Sequence, residues 1–159
     1  MAIRTVRPES DEILRKRSKE VEEINDKVRE LINDMVETMH KYDGIGLAAP
    51  QVGVLKRIIV IDLGEETEII KLINPEIISQ KGEQKCEEGC LSIPNYYAQV
   101  IRPKEIKVRG LDENGEAIEI TAKEVMAVAL AHEIDHLEGV LFKDKMIPGT
   151  MQYIAPEKT

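Results

Sequence analysis

Residues 125–131 read Val-Met-Ala-Val-Ala-Leu-Ala, and the next five are His132, Glu133, Ile134, Asp135 and His136. The apolar run is far shorter than the roughly 20 residues that span a bilayer, so the chain's own elements must cover it. A helix with no polar side over that stretch is buried on nearly every side, which puts it at the centre of a fold. Thr121 and Glu124 have capping-box spacing, and Gly139 is the favoured residue just past a helix end, so the helix is expected over residues 121–139. Burying His, Glu, Asp and His there is costly unless something compensates their desolvation. Positions four apart share one helical face, so His132 and His136 can reach one cation while Glu133 stays free to handle a proton. The bland alternative is two satisfied histidines near a helix C-terminus, where positive charge suits the dipole.

The rest of the chain supplies the cover. Ile24, Val28, Leu31, Ile32, Met35 and Met39 fall at spacings of three and four, which predicts an amphipathic helix over residues 25–42, stopped by Asp43-Gly44. Residues 57–62 and 68–73 are short, β-branched and bounded by Gly or Pro, as strands are. Ile106 and Val108, then Ile118 and Ile120, alternate with polar residues around Asn114-Gly115, which predicts a hairpin turned at that dipeptide. The 159 residues suit one domain, residues 1–159. The expected class is α+β: a single domain with antiparallel β-sheets packed around a central buried helix carrying HExxH, plus an N-terminal amphipathic helix. A net charge of -8 and the absence of Trp argue against a nucleic-acid binder, and the missing apolar leader or span implies a cytoplasmic protein with no membrane partner.

A catalytic metal needs a third protein ligand beside the two histidines. Phe142 stands where one group of metallopeptidases has a third His, and Glu157 is the lone acidic residue near the spacing used by another. Cys86 and Cys90 remain, too far apart on extended chain for a mutual disulfide. Cys90, between Gly89 and Leu91, is the stronger candidate, with a free thiol as its alternative. Gly44-Ile45-Gly46-Leu47-Ala48-Ala49 matches GxGxxA, but it follows a helix and runs into Pro50, the wrong setting for a dinucleotide site. Its glycines instead allow positive φ or a close backbone approach to a ligand. Gln51 offers an uncharged amide donor, or merely caps a turn. Val125, Val128 and Ala129 share the face of His132 and are expected to line an apolar pocket, unless they are plain core. The backbones of Ile45, Gly46 and Gly89 could hydrogen-bond an extended peptide. His40 reads as a solvated side chain.

Segments 44–51 (GIGLAAPQ), 88–92 (EGCLS) and 132–139 (HEIDHLEG) together resemble the three signature motifs of the peptide deformylase family, in the family's order and with similar separations. The resemblance implies a hydrolase that removes the formyl group from the N-terminal methionine of nascent chains. It implies Cys90, His132 and His136 as metal ligands, Glu133 as general acid/base, and Gln51 with the Leu91 N–H as an oxyanion site. The metal implied is Fe²⁺, with Ni²⁺, Co²⁺ or Zn²⁺ able to occupy the purified protein. N-formylmethionyl nascent peptides are the implied partners, with transient ribosome association, although residues 149–156 lack the long basic C-terminal helix that many members carry. Ala131 also stands where many members have Gln. Three competitors remain: a non-enzymatic metal-stabilised binding module, which would have no use for Glu133 or Gln51; a zincin-type peptidase, which Phe142 disfavours; and a catalytically silent deformylase relative, which would be expected to have lost the Glu or a ligand, as this chain has not.

Overall fold

The computed structural model describes residues 2–64 and 68–156, so Glu157 and the last residues of the expected domain lie outside the described residues. In chain order the elements are α1 (Asp26–Lys41), β1 (Gly46–Ala48), β2 (Ile58–Ile61), β3 (Ile70–Lys81), β4 (Gln84–Cys90) and β5 (Ile93–Arg102). They continue with β6 (Glu105–Leu111), β7 (Ala117–Lys123), α2 (Glu124–Leu137), α3 (Phe142–Lys145) and β8 (Gln152–Tyr153). All strand pairs are antiparallel, in a five-stranded sheet ordered β1-β2-β3-β6-β7 and a three-stranded sheet ordered β4-β5-β8. No helix of the described residues is long and apolar enough to cross a membrane.

β2 explains how the layers stack. Its side chains alternate between faces: Ile58 and Val60 pack with Leu31, Ile32 and Met35 of α1, whereas Ile59 and Ile61 pack with Leu130, Ile134 and Leu137 of α2. A strand covered on both sides has no polar face, hence the unbroken Ile-Ile-Val-Ile. The opposite side of α2 meets the smaller sheet, where Ala98 and Val100 of β5 form a third core with Leu14, Leu141 and Phe142.

Three local expectations are corrected. Thr121 does not cap the long helix: it pairs with Lys107 inside β7, and α2 starts at Glu124 after Lys123 with no side-chain cap. Cross-strand pairing overrode a local signal. The β6–β7 hairpin does not turn on Asn114-Gly115 alone; Asp112 and Glu116 pair across the turn, Asp112 Oδ1 accepts the Asn114 and Glu116 N–H groups, and Gly115 takes φ 82°. This is the longer loop whose final glycine sits in the left-handed region. The strand expected over 68–73 runs on to Lys81, because Asn74 and Pro75 form an irregularity in the β3–β6 ladder, and the Asn74 amide pairs with the backbone of Val21 at 2.8 and 3.0 Å.

Candidate metal centre

α2 presents His132 and His136 one turn apart on the side facing β4, and β4 delivers Cys90 at a register shift between Gly89 and Cys90. The Nε2 atoms of the histidines lie 3.2 Å apart and Cys90 Sγ lies 3.5 Å from His136 Nε2; all three donor atoms fall within 4.8 Å of one another. Tetrahedral ligands about 2.0–2.3 Å from one ion are separated by about 3.3–3.7 Å, so this set fits a metal. Two imidazoles and a sulfur suit a borderline-soft divalent ion. Cys86 does not join them. Its Sγ faces Glu88 Oε2 and the Val100 carbonyl, and burial followed by the Glu88 charge pushes its thiol up to about 12.

Glu88, which the sequence reading did not single out, fixes the first histidine. It accepts His132 Nδ1–H at 2.7 Å and is itself held by Arg102 through two contacts of 2.7 and 2.8 Å. Arg102 extends the chain to Asp135 at 2.5 Å, and Lys145 meets Asp135 at the surface. Burial alone would raise the Glu88 carboxyl, but Arg102 and His132 overcome it and hold it at about 2. A carboxylate behind a ligating imidazole fixes its tautomer and strengthens its basicity. Burial opposes charge on His132, yet Glu133, Cys90 and Glu88 raise its proton affinity well above the ordinary value: anions surround it, as they would a cation. Burial, then the charges of His132 and Arg102, keep His136 neutral, the ligating form. Phe142 stacks on His132 with ring centroids 6.2 Å apart, so the position where another group of metallopeptidases has its third His here packs against a helix histidine.

Glu133 is 4% exposed, and its Oε1 has no hydrogen-bond partner among the described residues. Burial raises its carboxyl to about 7, close to the ideal for a general base at neutral pH. Gln51, 1% exposed, accepts the Ala48 N–H through Oε1 and directs Nε2 at Ser92 Oγ (3.1 Å) and Cys90 Sγ (3.4 Å). The N-terminal segment straps the two motif loops together, since the Arg7 N–H donates to the Gln51 carbonyl and the Glu9 N–H to that of Ser92.

The glycines of the first motif do not take positive φ, as the sequence left open. They admit protein side chains instead. A Cβ on Gly44 would lie 2.7 Å from Leu91 Cδ1, and one on Gly46 would lie 2.9 Å from Glu133 Cδ. Gly89 likewise leaves room for the Tyr97 ring, 2.6 Å from a Cβ built there. These groups open into a cleft of about 620 Å³, which Gln51, Cys90, His132 and Glu133 share with Leu91. Ile45, Gly46, Gly89, Val125, Val128 and Ala129 also line it. Ile45 and Val125 stand exposed, Ala129 is buried, and the Ile45 carbonyl is already engaged by the Asp62 N–H. His40 pairs with Asp62 at 2.6 Å rather than standing alone in solvent.

A half-buried thiol and two helix-borne imidazoles that converge on one point, with a buried carboxylate beside them, define a mononuclear metallohydrolase. The sequence pattern of the polypeptide deformylase family matches residues 3–151. The peptide deformylases of Alkaliphilus metalliredigens and Acetivibrio thermocellus are each 54% identical over 147 residues, covering 92% of this chain and 99% and 85% of theirs. A crystal structure of a peptide deformylase from Legionella pneumophila superimposes with a TM-score of 0.88 at 47% identity, covering 92% of this chain and 87% of that one. One from Synechococcus elongatus in complex with actinonin gives 0.87 at 44% identity over 91% and 80%. The chain belongs to the polypeptide deformylase family, metal-dependent hydrolases that remove the N-formyl group from nascent peptides.

Proposed function

We propose that residues 1–159 work as one catalytic domain in which α2 is the catalytic helix and Cys90, His132 and His136 hold one divalent ion, Fe²⁺ in the cell and replaceable by Ni²⁺, Co²⁺ or Zn²⁺. The observation that carries this reading is the convergence of those three donors beside a buried carboxylate, Glu133, whose Oε1 has no hydrogen-bond partner among the described residues. Such an ion supplies Lewis acidity, polarising the formyl carbonyl and acidifying water.

The remaining work falls to the chain. Glu133 accepts a proton from the attacking water and returns it to the departing amine, so that formate and a free N-terminus leave. Gln51 and the Leu91 N–H meet the oxygen of the formyl group as it gains charge, and losing one such donor costs about 3–4 kcal/mol of barrier. Both Gln51 amide hydrogens are engaged, and the 3.4 Å contact to sulfur is the weaker, hence the one exchanged for substrate. Val125, Val128 and Ala129 receive the methionine side chain. Ile45, Gly46 and Gly89 border the path of the peptide backbone. We place the enzyme in the cytoplasm, where it meets formylated nascent chains.

The deciding measurement is anaerobic formate release from a formyl-Met peptide by the Fe²⁺ or Ni²⁺ form, beside Glu133→Ala. The wild-type chain is expected to turn over, and the variant to keep its metal while losing most activity. One metal per chain with no formate from the wild type would instead leave a metal-stabilised module.

A further inference from the structure

α3 is a single turn, Phe142–Lys145, yet it reaches the metal centre by two routes. Phe142 lays its ring directly on His132. Lys145 arrives at the other end of a longer path: its Nζ meets Asp135 Oδ1 at 3.1 Å and Oδ2 at 3.0 Å. From Asp135 the contacts run inward without a break. Arg102 Nη1–H donates to Asp135 Oδ2, Arg102 Nε and Nη2 donate to the two oxygens of Glu88, and Glu88 accepts His132 Nδ1–H. The side chains sink from 47% exposed at Lys145 through 17% at Asp135 to 2% at Arg102.

Charge along this path explains why Lys145 belongs to it. One buried guanidinium serves two carboxylates, Glu88 and Asp135, which compete for it. Lys145 adds a second cation on the Asp135 side, so Asp135 is satisfied without drawing Arg102 away from Glu88. The fork of Arg102 is then free to hold the Glu88 carboxylate by two parallel donors, which fixes its plane. A carboxylate held in one plane aims the imidazole that donates to it. α3 keeps Lys145 in place, because Asp144 accepts the Leu141 N–H at 2.9 Å and pairs with Arg15, while Lys143 meets Glu9 at 2.6 Å.

We propose that Lys145 is a positioning residue for the metal centre: by balancing Asp135 it keeps Arg102 square on Glu88, and Glu88 keeps His132 aimed at the ion. The inference rests on the reading of Cys90, His132 and His136 as ligands. Lys145 is not among the residues that line the cleft, so it acts through these contacts and not on the substrate. Loss of Lys145 has two effects of opposite sign. Removing a cation from the neighbourhood of a metal ion tightens the hold on that ion, whereas loosening a ligating histidine weakens it. The half-exposed ammonium is screened by water and salt, while each contact of the path acts at hydrogen-bond distance, so the loosening dominates.

Chelator competition for Co²⁺ tests it. Lys145→Met should weaken Co²⁺ binding about two- to tenfold, less than the loss of a group that touches the ligand itself. Lys145→Arg should restore the affinity, and Lys145→Glu should weaken it further. The Co²⁺ absorption bands, which report the geometry of the ligands, should shift in Lys145→Met and return in Lys145→Arg. A double-mutant cycle locates the path: in a Glu88→Gln background Lys145→Met should lose most of its effect, whereas a merely structural role would add to that of Glu88→Gln. The proposal is overturned if Lys145→Met leaves the affinity unchanged or tightens it, or if its loss is as large with Glu88→Gln as without. A wild-type chain that holds no Co²⁺ would overturn the ligand set itself, and this inference with it.

Discussion

Gly46→Ala tests whether the first motif exists to make room for the catalytic carboxylate. The new Cβ would sit 2.9 Å from Glu133 Cδ, 3.1 Å from Cγ and closer still to Oε2. Ordinary carbon contacts begin at about 3.5 Å, so the carboxylate must retreat by more than about half an ångström. The backbone raises no objection, since Gly46 is absent from the positive-φ residues. The atoms struck lie towards the end of a side chain, so the fold should survive at a cost of about 1–3 kcal/mol, the usual range for overpacking. Catalysis has less tolerance: displacement on the ångström scale costs about 100-fold in kcat. The metal should remain, because Cys90, His132 and His136 are untouched. The assay is kcat with metal content and thermal midpoint measured on the same preparation, with Gly44→Ala as comparison. Its Cβ meets a Leu91 methyl, which can rotate aside, so its kcat should fall far less. If Gly46→Ala keeps kcat within twofold of wild type, Glu133 is not held at the reacting position by this close approach, and the assignment of the glycine is wrong.

Other perturbations separate the remaining roles. Glu88→Gln keeps an acceptor for His132 Nδ1 but removes the charge that Arg102 stabilises, and metal affinity should drop about 10–100-fold in a chelator competition; an unchanged affinity would deny Glu88 its orienting part. Cys90→Ala should abolish metal retention and Cys86→Ala should leave it intact, with the reverse result removing Cys90 from the ligand set. At the surface, partial burial raises the Asp144 carboxyl, but Arg15 and the Leu141 N–H outweigh it and hold it below the ordinary range. A depressed carboxyl contributes stability that is complete above its unfolded value near about 4 and lost as pH falls through the folded one. Asp144→Asn should therefore lower the unfolding free energy at pH 7, measured by denaturant titration, by less than about 1 kcal/mol for so exposed a pair, and lose its effect in strong acid. An equal effect at both ends would mean that charge is not the cause.

The metal helix was legible because its constraints are local: an apolar run without a polar side and an i, i+4 histidine pair say the same thing about one segment. Glu88 was legible only as the first letter of the motif 88–92, because its residue type does not distinguish it from Glu87. Only the alternation of β4 turns Glu87 outward and Glu88 in, onto His132. The capping misreading of Thr121 has the same origin, since a partner at Lys107 decides the matter from another strand. The glycines give half an answer: the sequence says that something comes close, while what comes is Leu91 or Glu133, far along the chain. The aromatic residues give none, as positions 42, 96, 97, 142 and 153 follow no period. Helix periodicity predicts which residues share a face; it is silent about which faces meet. A site built where a helix meets a strand is thus half readable: its helical ligands announce themselves, and its cross-strand supports wait for the register. Variants of Glu88 and Gly46 probe that second half, whereas variants of the histidines probe only the first.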